Sequence, residues 1–203
     1  MVDRDVSRVA PNRIDRPGTA EEAWDEWAGL KHLPVADPLD WPSVIIVAAH
    51  LDDEVLGAGG VMGMLAAAGT RLRLIAVPDG ETSHPAADPE VIGRVRTEEP
   101  AAAREVLGAR DADVVRLRLP ATGLAARKDE LADRLGKLCA GFVVCLARPQ
   151  ACQVALTADV AAEKKAAIGA FASQLTGREG AAGPVLPPGI VAHFTRPLEV
   201  LLR

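Results

Sequence analysis

Five consecutive residues, His50-Leu51-Asp52-Asp53-Glu54, bring one imidazole and three carboxylates together. Carboxylates packed this closely repel one another unless a cation or hydrogen-bond donors compensate them. Nitrogen with carboxylate ligation suits a divalent ion such as Zn2+. His50 and Asp53, three apart, could both face one ion from a turn. Asp52 would then point at the open coordination position, where it could act as general base on a water activated by the ion. A structural alternative stands beside this one: Asp52 or Asp53 could cap a following helix, while His50 hydrogen-bonds in the core.

The elements around the cluster must position it. Residues 43–49 (SVIIVAA) form a continuous β-branched run, which suits a strand buried on both faces. It leads straight into His50, and a helix is expected over 55–68. Further strands are expected at 71–77, 113–119 and 142–147, and helices at 89–107, 128–138 and 159–175. Pro100 should break or kink the first of these, 89–107, and Gly108 should end it. The Trp24, Trp27 and Leu30 stripe predicts a helix over 20–30 packed on the main body. Short strands are expected at 190–194 and 199–202, after a Gly/Pro-rich loop over 177–189. Alternating strands and helices predict an α/β fold of three α/β/α layers, Rossmann-like, with a mainly parallel sheet in a single domain. Ligands of such sheets bind beyond the carboxyl ends of the strands, and His50 to Glu54 lie at such an end.

Composition excludes several classes. The 203 residues suit one domain, and 23 Lys+Arg against 28 Asp+Glu give a net charge of −5, which argues against a nucleic-acid partner. Apolar residues at 49% are enough for a sizeable core. The longest uncharged stretch, 55–70, falls short of the roughly 20 apolar residues of a membrane helix. The charged N-terminus predicts no secretory signal. Cys139, Cys145 and Cys152 are odd in number and lack metal-site spacing, so a disulfide framework is not expected. The expectation is a soluble, cytoplasmic protein with a flexible arm over 1–18 and one domain over 19–203. A dinucleotide site is disfavoured, because the glycine fingerprint should follow the strand directly. Here 50–56 intervene, and their carboxylates would repel a pyrophosphate.

The segment Val47-Ala48-Ala49-His50-Leu51-Asp52-Asp53-Glu54-Val55-Leu56-Gly57 resembles the AHPDDE signature of the PIG-L (LmbE-like) zinc-dependent N-deacetylases. Asp79-Gly80-Glu81-Thr82-Ser83-His84-Pro85 resembles the segment after that family's second strand. Arg96-Thr97-Glu98-Glu99 is similar to its R-x-x-E helix, and Lys164 through Gln174 to its late K-x-x-A-I…S-Q helix. Pro187-Pro188, His193-Phe194, Arg196-Pro197 and Glu199-Val200 look like its C-terminal strands. The resemblance implies His50 and Asp53 as zinc ligands, Asp52 as catalytic base and Arg96 as a substrate-binding residue. His84 lies where a substrate contact is plausible, with a solvent-exposed loop histidine as the alternative. His193 reads better as a structural strand histidine.

The chain departs from the pattern in one important place. The family completes its site with a histidine of an H-P-D-H-like motif after a later strand, and Arg148 to Leu156 contain no histidine. The domain therefore looks shortened around 148–158. Leu51 replaces the signature proline, and Ala121 stands where relatives often carry an aspartate. His84, His193 and Cys152 are the candidate third ligands. Uncovered apolar sheet surface would invite a second copy, so a homo-oligomer enters the expectations. Two functional readings follow. One is a zinc-dependent hydrolase that removes an N-acetyl group from a small-molecule glucosamine conjugate. The other is a truncated, catalytically inactive relative that acts as a binding module.

Overall fold

The computed structural model describes residues 19–80, 84, 86–120, 123–142, 151–177 and 183–202. Three parallel strands carry the fold: β1 (Ser43–Ala48), β2 (Arg71–Ala76) and β3 (Asp113–Arg116), in the order β1-β2-β3. Ser43 pairs with Arg71 and Ala48 with Ala76, and Arg73 pairs with Asp113, so the carboxyl ends of the strands align. Side chains alternate between faces along a strand. Val44, Leu72 and Leu74 enter one core with α3 (Asp53–Ala67) and α4 (Pro89–Val106). Ile75, Val77, Leu117 and Leu119 enter a second, against Leu131, Leu135 and Leu138 of α5 (Lys128–Cys139). Both faces are covered, which gives the three layers and explains the unbroken apolar run of β1.

A second unit lies after the parallel sheet. β4 (Ala151–Ala155) pairs antiparallel with β5 (Leu198–Leu202). Between them come α6 (Ala158–Ile168), α7 (Ala172–Leu175) and α8 (Pro188–Phe194). The β4 strand was not expected, and its only predicted counterpart, 142–147, lies outside the described residues apart from Phe142. The arm over 1–18 lies outside them as well.

Four expectations are corrected. Residues 190–194 form a helix rather than a strand. Pro188 occupies its first turn, where the missing N–H costs nothing. The helix expected over 159–175 stops at Ile168 and restarts at Ala172, and the turn buries Phe171 completely. Pro100 does not end α4. Ile92, Arg96, Glu99, Pro100 and Ala103 share its buried face, and that packing outweighs one lost backbone bond. The first helix is interrupted at Trp27, leaving α1 (Glu21–Glu26) and α2 (Ala28–Lys31).

α1 is clamped to α8 through charge. Arg196 Nε and Nη2 donate to Glu21 at 2.6 and 2.8 Å, and His193 also contacts this carboxylate. Trp24 lies under the Arg196 guanidinium, 5.2 Å from its ring centroid. The hydrogen bond from Arg196, with further help from His193, lowers the Glu21 pKa from 4.5 to about 2. A depressed carboxyl stabilises the fold above its unfolded pKa and loses that contribution as pH falls through the folded value. Docking of α1, followed by Trp fluorescence, should therefore weaken between pH 4.5 and about 2. The same titration of Glu21→Gln should show no such step.

Candidate functional site

β1 ends at Ala48 and α3 begins at Asp53, so His50 to Asp53 form a tight turn at the carboxyl edge of the sheet. The His50 backbone N–H donates to Asp53 Oδ2 at 2.8 Å, and the His50 imidazole Nδ1 lies 3.2 Å from the same oxygen. Both side chains face solvent, at 71% and 42% exposure. The core-histidine reading of His50 is thereby excluded. Asp52 occupies the N-cap position of α3 but makes no capping hydrogen bond. Its carboxylate turns inward and accepts from Arg96 Nη2 at 3.3 Å, with both side chains buried. Glu54 is buried too.

These placements explain how three carboxylates coexist. Asp53 is hydrated and faces an imidazole. Asp52 faces a guanidinium, although burial outweighs that attraction and pushes its pKa up. Burial pushes Glu54 further, to about 7, so much of it carries no charge at neutral pH.

The α3 helix that carries the turn is itself bent. Ala58 leaves the helical region (φ −142°, ψ 19°), which frees the backbone donors that follow. Glu199 of β5 takes them: Gly60 N–H and Val61 N–H donate to its two oxygens at 2.7 and 2.8 Å. Lys164 of α6 neutralises the carboxylate at 2.8 Å, and the two side chains are 2% and 1% exposed. A Cβ on Gly60 would sit 2.7 Å from Leu156 Cδ2 and 3.2 Å from Glu199 Oε1, so a larger residue there would displace Leu156 and crowd the carboxylate.

Of the expected site residues, the structure groups His50 with Asp53 and Asp52 with Arg96. His84 Nε2 bonds the Ser173 carbonyl at 3.1 Å. His193 is engaged with Glu21 and Arg196, and Cys152 is fully buried in the core. Among the described residues no third His, Cys, Asp or Glu joins a group able to hold a metal. His50 and Asp53 fit two positions of a zinc site by donor chemistry and exposure, where a catalytic site takes three. Glu99, Ser173, Lys164 and Glu199 carry contacts that the sequence reading assigned to no role. Their signal was present in the late motifs, but which residues they face follows only from the fold. A groove of about 560 Å3 opens between α4 and the end of β3, past Asp79, Gly93, Arg94, Thr97, Arg116 and Arg118.

A family model named PIG-L, GlcNAc-PI de-N-acetylase, matches residues 45–159, more than half of the chain. The chain belongs to this family. The match contains most of β1, the turn, Arg96 and β2 to β4. Among solved structures, a deacetylase of teicoplanin biosynthesis is 14% identical with a TM-score of 0.52, covering 66% of this chain and 88% of that one. That likeness shows the PIG-L chain's fold. An N,N'-diacetylchitobiose deacetylase from Pyrococcus horikoshii is 24% identical over 61% of this chain, with a TM-score of 0.43. A 4-carboxy-2-hydroxymuconate hydratase from Pseudomonas putida is 25% identical over 51%, with a TM-score of 0.42. The chain spans 48% and 44% of the length of these last two. No match was found among curated proteins. No helix among the described residues is long and apolar enough to cross a membrane.

Removing one partner of a buried ion pair leaves an uncompensated charge and costs about 3–5 kcal/mol. Lys164→Met should therefore lose roughly that much stability in urea unfolding. Lys165→Met, one residue along on an exposed face, should lose less than about 0.5 kcal/mol.

Proposed function

We propose that this PIG-L chain is a metal-dependent N-deacetylase acting on a glucosamine-containing conjugate. One observation carries the reading. The His50–Asp53 turn keeps an imidazole and a carboxylate together in solvent while turning the neighbouring Asp52 inward onto Arg96. Ligation and proton transfer thus fall to different residues of one turn. His50 and Asp53 would hold Zn2+. When bound, such an ion supplies Lewis acidity toward a carbonyl and makes water a better nucleophile.

The chain's own residues do the rest. Asp52 accepts a proton from the water that attacks the acetamide carbonyl. It returns that proton to the nitrogen as the C–N bond breaks, which leaves acetate and a free amine. Arg96 keeps the Asp52 carboxylate in one orientation, and its guanidinium opposes the effect of burial on Asp52. Gly80 lies against the Arg96 guanidinium, and we place the sugar beside Arg96 and the turn. The remainder of the conjugate would extend into the groove toward Arg116 and Arg118.

The catalytically inactive reading has its own support, the two-donor count among the described residues. Zinc stoichiometry after dialysis separates the two. Near one equivalent in the parent and none in His50→Ala would support the hydrolase. No retained zinc in a folded parent would sink it. Asp52→Ala should keep the metal yet release no acetate from N-acetylglucosamine conjugates. Persistent turnover in that variant would remove Asp52 as the base.

A further inference from the structure

Arg96 is buried to 3% exposure, and its grip on Asp52 is a single 3.3 Å bond. A guanidinium has five donors in a fixed fork, and here Nε and Nη1 make no hydrogen bond. One bond does not fix the orientation of such a group. The second restraint comes from Glu99, one turn further along α4, whose Oε2 lies 3.7 Å from Arg96 Nη1. Glu99 is held in turn from another element. The Ser173 backbone N–H donates to Oε1 at 2.6 Å and the Ser173 hydroxyl to Oε2 at 2.7 Å. Gln174 Nε2 donates to that same hydroxyl at 2.9 Å. Both oxygens of Glu99 are thus occupied on one side by α7, and the charge that remains faces Arg96. On the other flank, a Cβ at Gly80 would lie 3.1 Å from Arg96 Nε. Gly80 and Glu99 thus both crowd the guanidinium that bonds Asp52.

We propose that Glu99 and Ser173 are positioning residues for the Asp52 carboxylate, acting through Arg96. Neither touches the reacting atoms. Ser173 locks the Glu99 rotamer, Glu99 locks the guanidinium, and the guanidinium orients the base. The arm also ties the base to the loop after β2, because the Ser173 carbonyl is the partner of His84 Nε2. Packing of α7 against α4 thereby becomes part of the site, although α7 is only Ala172–Leu175.

The catalytic half of this inference rests on Asp52 being the general base, and the structural half does not. Side-chain NMR of Arg96 in metal-free protein tests the structural half. Restrained rotation should give resolved Nη signals in the parent that collapse in Glu99→Gln and broaden in Ser173→Ala. Ser173→Thr, which keeps both donors, should restore them. Arg96 signals unchanged in Glu99→Gln would overturn the arm whether or not the chain is an enzyme. Kinetics test the catalytic half. Glu99→Gln should lower kcat at least tenfold, with KM and the zinc Kd within about twofold of the parent. Equal kcat in Glu99→Gln and parent would overturn the positioning role. A parent without activity but with a restrained Arg96 would instead sink the deacetylase reading and leave the arm standing. Should Glu99→Gln fail to fold, Ser173→Ala carries the same comparison with a smaller fall in kcat.

Discussion

The buried Glu199 carboxylate is the constraint on which the rest of this structure hangs. It is a charge at 1% exposure, so it is tolerable only if each lone pair finds a donor. Two donors come from the backbone of α3, and these exist only because Ala58 breaks the helix before them. The third is Lys164. Break, strand and lysine therefore require one another. Their joint effect is to set the direction of the first turn of α3, which carries Asp53 and follows His50 directly. Glu199 thus holds the helix that carries the turn, through backbone donors 139 and 138 positions earlier.

Electrostatic separation within that turn follows from the same rigidity. Three consecutive acids cannot all be equivalent in so small a space. The backbone places them in three environments: water for Asp53, a guanidinium for Asp52 and apolar burial for Glu54. Only Asp53 keeps an ordinary hydrated setting. The opposing pulls on Asp52, burial raising its pKa and Arg96 lowering it, leave a carboxyl that can exchange protons without being abandoned by its partner. Had Asp52 capped α3 instead, it would have been tied to backbone donors rather than to Arg96.

Much of this was legible in the sequence, and the failures have physical causes. The run 43–49 and the acids after it announced a buried strand and a loaded turn, because period and residue type are local signals. The 190–194 helix was misread because its five residues are apolar at every position but one, where strand and helix patterns coincide. Pro188 was the cue. The break before Phe171 had one local cue, Gly169 at the C-cap of α6, in a stretch whose alanines otherwise favour helix. The pairing of β4 with β5 joins segments some forty residues apart, and nothing local in Ala151–Ala155 specifies an antiparallel partner. Within the turn, the clustering of His50, Asp52 and Asp53 is a local signal, whereas the Arg96–Asp52 contact is not. It depends on α4 lying across the carboxyl edge of the sheet.

The contact between His50 and Asp53 bears on how readily this turn could take up an ion. One oxygen of Asp53 accepts from both the His50 backbone N–H and its imidazole. The two bonds play different parts. The backbone bond is built into the turn and holds the carboxylate in place whether or not an ion is present. The imidazole contact is between exposed groups, and pairs of that kind are worth about 0–1 kcal/mol. It can therefore be exchanged for a metal bond at little cost, while the carboxylate stays oriented. On the proposed reading, His50 and Asp53 would therefore need little reorganisation to take up an ion, which would partly offset having two protein donors where three are usual. The site is consequently sensitive to the length of the turn: an added residue between His50 and Asp53 would break the backbone bond and uncouple the pair, even with both side chains still present.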